Sequence, residues 1–227
     1  WIKNGHPPMD VNGVDIRRIH PFQSVRKYVH DRTVESLGLL YAMHWPYRQV
    51  ETARGVRRSP FYRYLKDLGA VYGEVNGWER PNWYARDGVK PEYEYSYGRQ
   101  NWFPCADYEA KRMMTDCAFF DQSSFAKYMV EGKDALAVLN RVSANEIDVA
   151  DGRIVYTQWL NERGGIEADL TITRLGEQRF LVVTGAVPQT RDMAWLKRHS
   201  PDGAHCVATD VTSGLPMLSI CLLYTSP

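Results

Sequence analysis

The sequence has little that would place it in a membrane or on nucleic acid. No apolar run among its 227 residues approaches the ~18 residues that span a bilayer, and no basic segment with an apolar stretch behind it indicates a targeting signal. The 28 Lys and Arg residues nearly balance the 27 Asp and Glu residues, which leaves a net charge of +1. Neither nucleic acid nor an anionic membrane is therefore expected as a partner.

Cysteine is also scarce, and its spacing does not indicate a metal site. The four cysteines are scattered without a CxxC pair; they are Cys105, Cys117, Cys206 and Cys221. Cys206 has His205 beside it, but adjacent residues seldom point at the same metal ion, so no metal site is predicted. Scattered cysteines are typical of a reducing compartment, where they pack as small hydrophobes.

The chain does have enough apolar residues for a sizeable core. Hydrophobic residues make up 44% of it, with seven Trp and fourteen Tyr, and its length allows one large domain or two small ones. The sequence at both ends predicts that the chain is an internal fragment of a longer protein. The chain opens on Trp1 in a Pro/Gly-rich loop, and "TDVTSGLPMLSI" predicts a strand that enters a core just before the sequence stops. Residues 221–227 are the candidate non-native tail.

The first third predicts a helix and then a junction. Residues 24–44 carry helical periodicity, with Ser24 as the expected N-cap and Trp45-Pro46 as the end. The apolar stripe of this helix consists of Val34, Leu37, Leu40 and Tyr41. The polar, basic "RQVETARGVRRSP" is the candidate domain junction and is more typical of a solvated linker than of a binding patch.

The remainder predicts an α+β organisation. A short helix around Leu65, a tight turn at "GWERPN" and a helix over 107–117 come first. "FAKYMVEG" predicts a strand, "GKDALAVLNRV" a helix, "IVYTQWL" and "IEADLTITRL" a hairpin, "RFLVVTGA" a central strand and "QTRDMAWLKRH" a final helix.

The hairpin gives the sharpest local prediction. A two-residue loop at Arg163-Gly164 would place Gln158 opposite Asp169 and Tyr156 opposite Thr171. Because side chains alternate along a strand, these four residues would share one face. The opposite face, directed at the core, would consist of Ile166, Ala168, Leu170 and Ile172.

Two interpretations of the polar face stay open. A carboxylate flanked by a tyrosine and an amide can hold a nitrogen-rich heterocycle, but a solvated strand face is the usual outcome for an alternating sequence. Trp159 and Leu160 near the turn favour the ligand interpretation, because an apolar surround would restrict water there.

Several motifs, in order, resemble a known family. "YTQWLNERGGIEADLTITRL", "FLVVTGA" and the upstream "DQSSFAKYMVEGKDALAVLNRVSANEIDV" resemble the folate-binding domain of the aminomethyltransferase (T-protein) of the glycine cleavage system. "MHWPYRQVETARGVRRSPFYRYLKDLGAVYGEVNGWERPNWYA" is similar to the junction in dimethylglycine and sarcosine dehydrogenases, where a flavin half is fused to the folate half. The likeness covers roughly residues 1 to 220.

The resemblance implies a domain arrangement. Mixed and antiparallel sheets with packed helices would form the first part of an aminomethyltransferase folate-binding domain over residues 58–220. Residues 1–57 would be the C-terminal tail of an FAD-dependent amine oxidoreductase domain. No GxGxxG occurs in the chain, so FAD would be bound by an N-terminal region of the parent protein. The fragment itself would be inactive.

The implied activity joins two cofactors. FAD would oxidise a small N-methylated amino acid, and tetrahydrofolate would take up the one-carbon unit as 5,10-methylene-tetrahydrofolate. Electrons would pass to oxygen or to an electron-transfer flavoprotein. The location would be the cytoplasm in a bacterium or the mitochondrial matrix in a eukaryote. Two alternatives remain: an aminomethyltransferase of the glycine cleavage system, which needs no flavin, and a non-catalytic folate-binding or assembly module.

The resemblance also implies roles for single residues. Asp169 matches the family's essential aspartate near the folate amine nitrogens, where a carboxylate can hydrogen-bond or relay a proton. Tyr156 matches a folate contact, and further cofactor-binding positions fall at Phe125, Leu181 and Val183. Gly185 departs from the pattern, because T-proteins usually carry an asparagine there that binds the pterin.

Overall fold

The computed structural model describes residues 3, 9, 11 and 14–221. The chain divides into two compact units. The sheet unit contains the described residues up to Ser24 together with Phe125–Val211, and the hairpin unit contains Val25–Ser124 together with the described residues from Thr212 on. The domain boundary predicted near residue 57 stays a prediction. Of the predicted tail, only Cys221 lies among the described residues.

Five α-helices and nine strands make up the regular structure of the described residues. The helices are α1 (Arg26–Leu39), α2 (Tyr62–Asp67), α3 (Phe103–Met113), α4 (Ala135–Val142) and α5 (Gln189–His199). The strands are β1 (Ala70–Val75), β2 (Trp78–Tyr84), β3 (Ala118–Asp121), β4 (Ala126–Glu131), β5 (Ile154–Leu160), β6 (Ile166–Gly176), β7 (Arg179–Thr184), β8 (Val207–Asp210) and β9 (Leu218–Cys221).

The sheet unit contains one five-stranded antiparallel sheet in the order β5-β6-β7-β4-β8. The apolar strand β7 lies at its centre, as its sequence predicts. One face of the sheet is covered by α4 and α5, whose apolar residues meet the inward side chains of the strands. In α4 the buried residues are Ala135, Val138, Leu139 and Val142, at the predicted helical spacing. Side chains that alternate along each strand therefore face either this core or the opposite side.

The β5–β6 hairpin has the predicted register in its paired part but a different turn. Gln158 lies opposite Asp169 and Tyr156 opposite Thr171, as predicted. The predicted two-residue loop is wrong, because the pairing shifts so that Leu160 faces Ile166 and Glu167 becomes an extra, bulged residue.

The longer turn also corrects the predicted core. The side chain of Asn161 accepts hydrogen bonds from the backbone N–H groups of Arg163 and Gly165 at 3.1 and 2.9 Å, which closes the loop around it. Ile166 lies before the bulge and is 70% exposed, whereas Ala168 beyond the bulge is buried. Ile166 therefore does not belong to the core face that the plain alternation predicted for it.

The outer edge of β5 is partly covered by the segment after α4. The N–H of Ala144 donates to the carbonyl of Gln158 at 2.8 Å. Asn145 donates its side-chain amide to the carbonyl of Tyr156 at 2.7 Å and its N–H to the hydroxyl of Thr157 at 3.0 Å. The middle of β5 is thus held on both sides.

The hairpin unit contains two small antiparallel sheets, β1-β2 and β3-β9. Asn76 and Gly77, with φ of 49° and 79°, form the turn between β1 and β2, as expected for an Asn-Gly pair in a two-residue hairpin loop. The turn predicted at "GWERPN" is therefore wrong. Most of that segment is strand β2, and Pro81 sits where the pairing becomes irregular.

Two helix boundaries and one strand also differ from the sequence expectations. Ser24 is not the N-cap of α1, because its hydroxyl donates to the carbonyl of Pro21 at 2.7 Å and the helix begins at Arg26 after an uncapped Val25. Helix α3 starts earlier than the predicted 107–117 and includes a proline in its first turn. The predicted strand near the C-terminal end is split into β8, a 3₁₀ turn at Thr212–Gly214 and β9.

Candidate functional site

The residues predicted for the site lie on strands β5, β6 and β7 and just outside β4 and β7, and they share one face of the sheet. The register aligns Tyr156 with Thr171, Thr171 with Val183, and Val183 with Lys127, so this row crosses β5, β6, β7 and β4. Leu181 lies two residues along β7 from Val183 and points to the same side. The structure therefore brings Tyr156, Leu181 and Val183 together on the side opposite the core.

Asp169 lies in the neighbouring row. It pairs with Gln158, and the register of Thr171 with Val183, extended by two residues, places Gly185 level with Asp169 just past the end of β7. The same extension along β4 places Phe125 in this row. The five predicted binding positions and the predicted catalytic carboxylate thus occupy three adjacent rows of one sheet face, with Leu181 in the row of Thr173 and Met129.

A hydrogen bond connects the two polar residues at the centre. The pKa of Tyr156 is raised by its hydrogen bond to the Asp169 carboxylate, because removing the phenol proton would place two negative charges side by side. Both side chains are accessible: Tyr156 is 59% exposed and Asp169 is exposed. An accessible carboxylate and a neighbouring phenol can together bind an N–H or N–H⁺ group.

Of the two apolar neighbours predicted for the site, Leu160 alternates onto the face of Gln158 but Trp159 does not. Trp159 is fully buried in the core on the opposite face, so its predicted role beside the carboxylate is wrong. Alternation along β5 explains this, because Trp159 follows Gln158 and must point the other way. The half-buried Phe125, Leu181 and Val183 supply the apolar surface on the site's own face.

Gly185 is closely fitted to its surroundings. A Cβ atom at this position would lie 3.3 Å from Cδ of Pro188, tighter than most such contacts. The backbone turns here from β7 toward α5. An asparagine would require Pro188 to shift by a few tenths of an ångström, so the glycine fits the local path of the chain.

Sequence reasoning missed one residue of this face. Lys127 lies between Phe125 and Met129 on β4 and is only 2% exposed. The alternation of "FAKYMVEG" already assigns these three residues to one side of the strand, so the signal was present in the sequence. Lys127 is thus a largely buried basic residue on the face of Tyr156 and Val183.

Asp192 of α5 is a buried acidic residue that contacts the end of β7 next to the site. The hydroxyl of Thr184 donates to Oδ2 of Asp192 at 2.7 Å, and Asp192 is fully buried. Burial raises the pKa of Asp192 to about 6, even though Thr184 and the Arg191 guanidinium act to lower it. Nothing in the sequence pattern of α5 indicates this, because the partners lie on another element.

Across the described part of the chain, no group of three or more His, Cys, Asp or Glu side chains is arranged to hold a metal ion. Helices of the same residues are too short or too polar to cross a bilayer.

Two family models match the chain. The GCVT N-terminal domain matches residues 61–221, and the FAD dependent oxidoreductase central domain matches residues 4–59. The α+β fold is also found in a solved structure, the glycine cleavage system aminomethyltransferase T from Bartonella henselae. The two share 25% identity with a TM-score of 0.57 over 74% of this chain and 41% of that one.

Three curated relatives match almost the whole chain. It is 47% identical to the 4-methylaminobutanoate oxidase (formaldehyde-forming) of Paenarthrobacter nicotinovorans over 97% of this chain and 27% of the relative. It is 32% identical to the mitochondrial pyruvate dehydrogenase phosphatase regulatory subunit of Mus musculus, covering 93% and 25% of the two chains. It is 29% identical to the human mitochondrial sarcosine dehydrogenase, covering 97% and 28%.

The chain thus spans about a quarter of the length of the curated relatives it matches. The predicted resemblance to flavin-linked amine dehydrogenases with a folate domain is confirmed by the order of the two family models and by these relatives. The GCVT N-terminal domain model covers most of the chain and follows the FAD dependent oxidoreductase segment. The chain therefore belongs to the GCVT N-terminal domain family.

Proposed function

We propose that the sheet face around Asp169 binds tetrahydrofolate. We also propose that the whole protein is an FAD-dependent N-methylamine oxidoreductase that passes the one-carbon unit to tetrahydrofolate, giving 5,10-methylene-tetrahydrofolate. The observation that carries the proposal is the pairing of the Asp169 carboxylate with Tyr156 on an accessible face that Leu181 and Val183 continue.

The chemistry of the face suits a reduced pterin. Tetrahydrofolate presents N–H donors and two amine nitrogens that take up the one-carbon unit. The Asp169 carboxylate can accept a hydrogen bond from such a donor and stabilise positive charge that develops near it. The Tyr156 hydroxyl beside the carboxylate adds a second polar group, and the apolar side chains of Leu181 and Val183 offer a surface for the flat ring.

The amine and the flavin are proposed from the family context. The segment matched by the FAD dependent oxidoreductase central domain supports FAD as a cofactor of the whole protein, which another part of that protein would bind. Relatives named for 4-methylaminobutanoate and sarcosine support a small N-methylated amino acid as substrate. Folate capture within the same protein would limit loss of the one-carbon unit to water.

The name of one relative shows why the ratio of formaldehyde to methylene-tetrahydrofolate has to be measured. The oxidase with 47% identity is named as formaldehyde-forming. Gly185, where the resemblance implies an asparagine, is the position in this chain that bears on pterin affinity. The proposal therefore requires that this chain bind reduced folate measurably.

The binding experiment uses this chain and 5-formyl-tetrahydrofolate, a stable reduced folate, in a calorimetric titration. Asp169→Ala is expected to weaken binding about 10- to 100-fold, since a hydrogen bond to a charged group is lost. Asp148→Asn is the matched control, because Asp148 is an exposed aspartate of the same unit that pairs with Arg174. Equal affinities for Asp169→Ala and the wild type would restore the solvated-face interpretation.

In the whole enzyme the same variant separates the two halves of the reaction. Asp169→Ala should leave flavin reduction by the amine unchanged, because that step takes place elsewhere. It should lower methylene-tetrahydrofolate formation by about 10²–10⁴-fold if the carboxylate acts as a general acid or base, with more formaldehyde released. A slower flavin reduction with an unchanged product ratio would contradict the proposal.

A second candidate function is a non-catalytic module. The regulatory subunit of the mouse phosphatase is 32% identical over 93% of this chain, so a protein named for regulation shares these sequences. A protein of this kind would fail to reduce flavin with any N-methyl amine. The aminomethyltransferase alternative is less favoured, because the oxidoreductase segment precedes the GCVT domain.

A further inference from the structure

An arginine of α5 binds the bulge that precedes Asp169. The Arg191 guanidinium donates through Nη1 to the backbone carbonyl of Glu167 and through Nη2 to the Glu167 carboxylate. Arg191 is 8% exposed, so this charge-assisted pair is largely shielded from water. Because one guanidinium binds both the main chain and the side chain of Glu167, it fixes the position of the bulge and its orientation.

The hairpin turn is connected to the same pair. Asn161, whose side chain closes the turn, donates its amide to Oε1 of Glu167 at 2.9 Å. The Glu167 carboxylate therefore receives hydrogen bonds from the turn on one oxygen and from α5 on the other. The Glu167 carboxylate thus connects the turn and the bulge to each other and to α5.

The end of β7 is connected through the next residue of α5. Nη1 of Arg191 lies 3.2 Å from Oδ1 of Asp192, whose second oxygen accepts the Thr184 hydroxyl at 2.7 Å. Thr184 is the last residue of β7 and immediately precedes Gly185. Two adjacent residues of one helix thus bind the strand segments that lead into Asp169 and Gly185.

The position of the bulge decides which way Asp169 points. Trp159 pairs with Ala168, but Leu160 pairs with Ile166, so the bulge takes up one extra residue of β6. A shift of one residue in register would send every β6 side chain to the opposite face. Whatever holds Glu167 in the bulge therefore keeps Asp169 on the side of Tyr156.

We propose that Arg191 is a positioning residue for Asp169. By clamping Glu167 in the bulge, it sets the direction of the carboxylate without touching the ligand. The inference rests on the proposed folate function of Asp169 for its effect on binding, but the clamp itself has a consequence that needs no folate.

The test compares Arg191→Gln and Glu167→Gln with the control Arg174→Gln in this chain. Arg174 is a suitable control because it lies on the same strand, is 14% exposed in its side chain and pairs with Asp148 and Asp151. Two quantities are measured: the affinity for 5-formyl-tetrahydrofolate, and the pKa of Tyr156 from NMR of ¹³C-labelled tyrosine, assigned with Tyr156→Phe.

Arg191→Gln is expected to weaken folate binding about 10- to 100-fold. The displaced Asp169 carboxylate would lose its hydrogen bond to the ligand, and a hydrogen bond to a charged group is worth about that factor. It should also lower the pKa of Tyr156, since the hydrogen bond to Asp169 that raises it is disturbed. Glu167→Gln keeps the backbone contact with Arg191 and should shift both quantities in the same direction by less. Arg174→Gln should shift neither, even if it lowers the melting temperature.

A folded Arg191→Gln variant with the wild-type pKa of Tyr156 and the wild-type affinity would overturn the proposal. If that variant does not fold, Glu167→Gln decides, and wild-type values for both quantities there overturn it equally. If the wild type binds no folate but Arg191→Gln still lowers the pKa of Tyr156, the positioning role of Arg191 is supported. Only the proposed folate function is then refuted.

Discussion

The two compact units of this chain are stabilised in different ways. In the sheet unit fifteen buried residues form one continuous core beneath the strands. The corresponding cluster in the hairpin unit contains only Val71, Trp83 and Cys105. There, ion pairs take a larger share, and the buried Glu79 binding Arg54 is the clearest example.

The difference explains why the candidate site lies on the sheet. A sheet packed on one face holds the side chains of the other face in register without needing contacts among them. Polar residues such as Asp169 and Gln158 can therefore stay accessible for a ligand. In the hairpin unit, carboxylates such as Glu79 are used to hold the fold together.

The largest expected effect tests the packed core directly. Phe180→Ala should lower the free energy of unfolding by about 3–5 kcal/mol, because Phe180 is fully buried on β7 and its removal leaves a cavity. Urea unfolding followed by far-UV circular dichroism measures it. A loss below about 1 kcal/mol would mean that this core is far looser than its burial indicates.

The next effect tests the buried carboxylate of Asp192 on α5. The pKa of Asp192 is about 6 in the folded protein, compared with an ordinary value of 3.8. The folded state therefore takes up this proton first as the pH falls, and the protein gains stability between about pH 6 and pH 4. This gain is lost as the pH rises through about 6.

Asp192→Asn should abolish that dependence. Relative to the variant, the wild type should lose about 2–3 kcal/mol of unfolding free energy as the pH rises from 4 to 7. Denaturation curves at four pH values measure it, with Asp107→Asn, on the exposed side of α3, as the control. Parallel pH profiles for Asp192→Asn and the wild type would show that burial does not raise this pKa.

A smaller effect is expected from the central ion pair of the hairpin unit. The Glu79 carboxylate accepts a hydrogen bond from Nε of Arg54 at 2.9 Å and another from the N–H of Gly55. Glu79→Gln should cost about 2 kcal/mol, since hydrogen bonds to a charged group are weakened on a shielded side chain. The control is Asp107→Asn, which removes an exposed pair with Lys111. Equal effects of the two substitutions would contradict the larger share assigned to the shielded Glu79 ion pair in this unit.

The smallest effect on stability is expected on the ligand face. Tyr156→Phe should leave the unfolding free energy unchanged, because the hydroxyl lies on an exposed side chain outside the core. Folate affinity should fall about two- to tenfold, the effect of one ordinary hydrogen bond. Thermal unfolding and calorimetric titration of the same sample measure the two. A clear loss of melting temperature would show that this face contributes to the fold.

The sequence predicts those parts of the sheet that local pattern controls. The register of Tyr156 with Thr171 follows from alternation with one buried face, because a slip by one residue would expose the core. The buried stripe of α4 follows from helical spacing in the same way. The candidate site residues come together because they are assigned to strands correctly, although their roles rest on resemblance.

The sequence does not predict what depends on distant partners or on competing turns. Asn161 folds its own side chain into the loop, so the turn is longer than the Arg163-Gly164 pair suggests. The "GWERPN" segment is mostly strand because Asn76-Gly77 already makes the turn. The bond from Arg191 to Glu167 joins residues 24 positions apart, which no local period reveals.

The segment that follows α4 has a consequence for association between molecules. Strand β5 is the last strand of the sheet, and an uncovered last strand offers its main-chain groups to any passing strand. Ala144 and Asn145 occupy the main-chain carbonyls of Gln158 and Tyr156. An incoming strand is thereby hindered from pairing along the stretch that carries Tyr156, so the face of the candidate site can remain accessible without recruiting a second chain at its border.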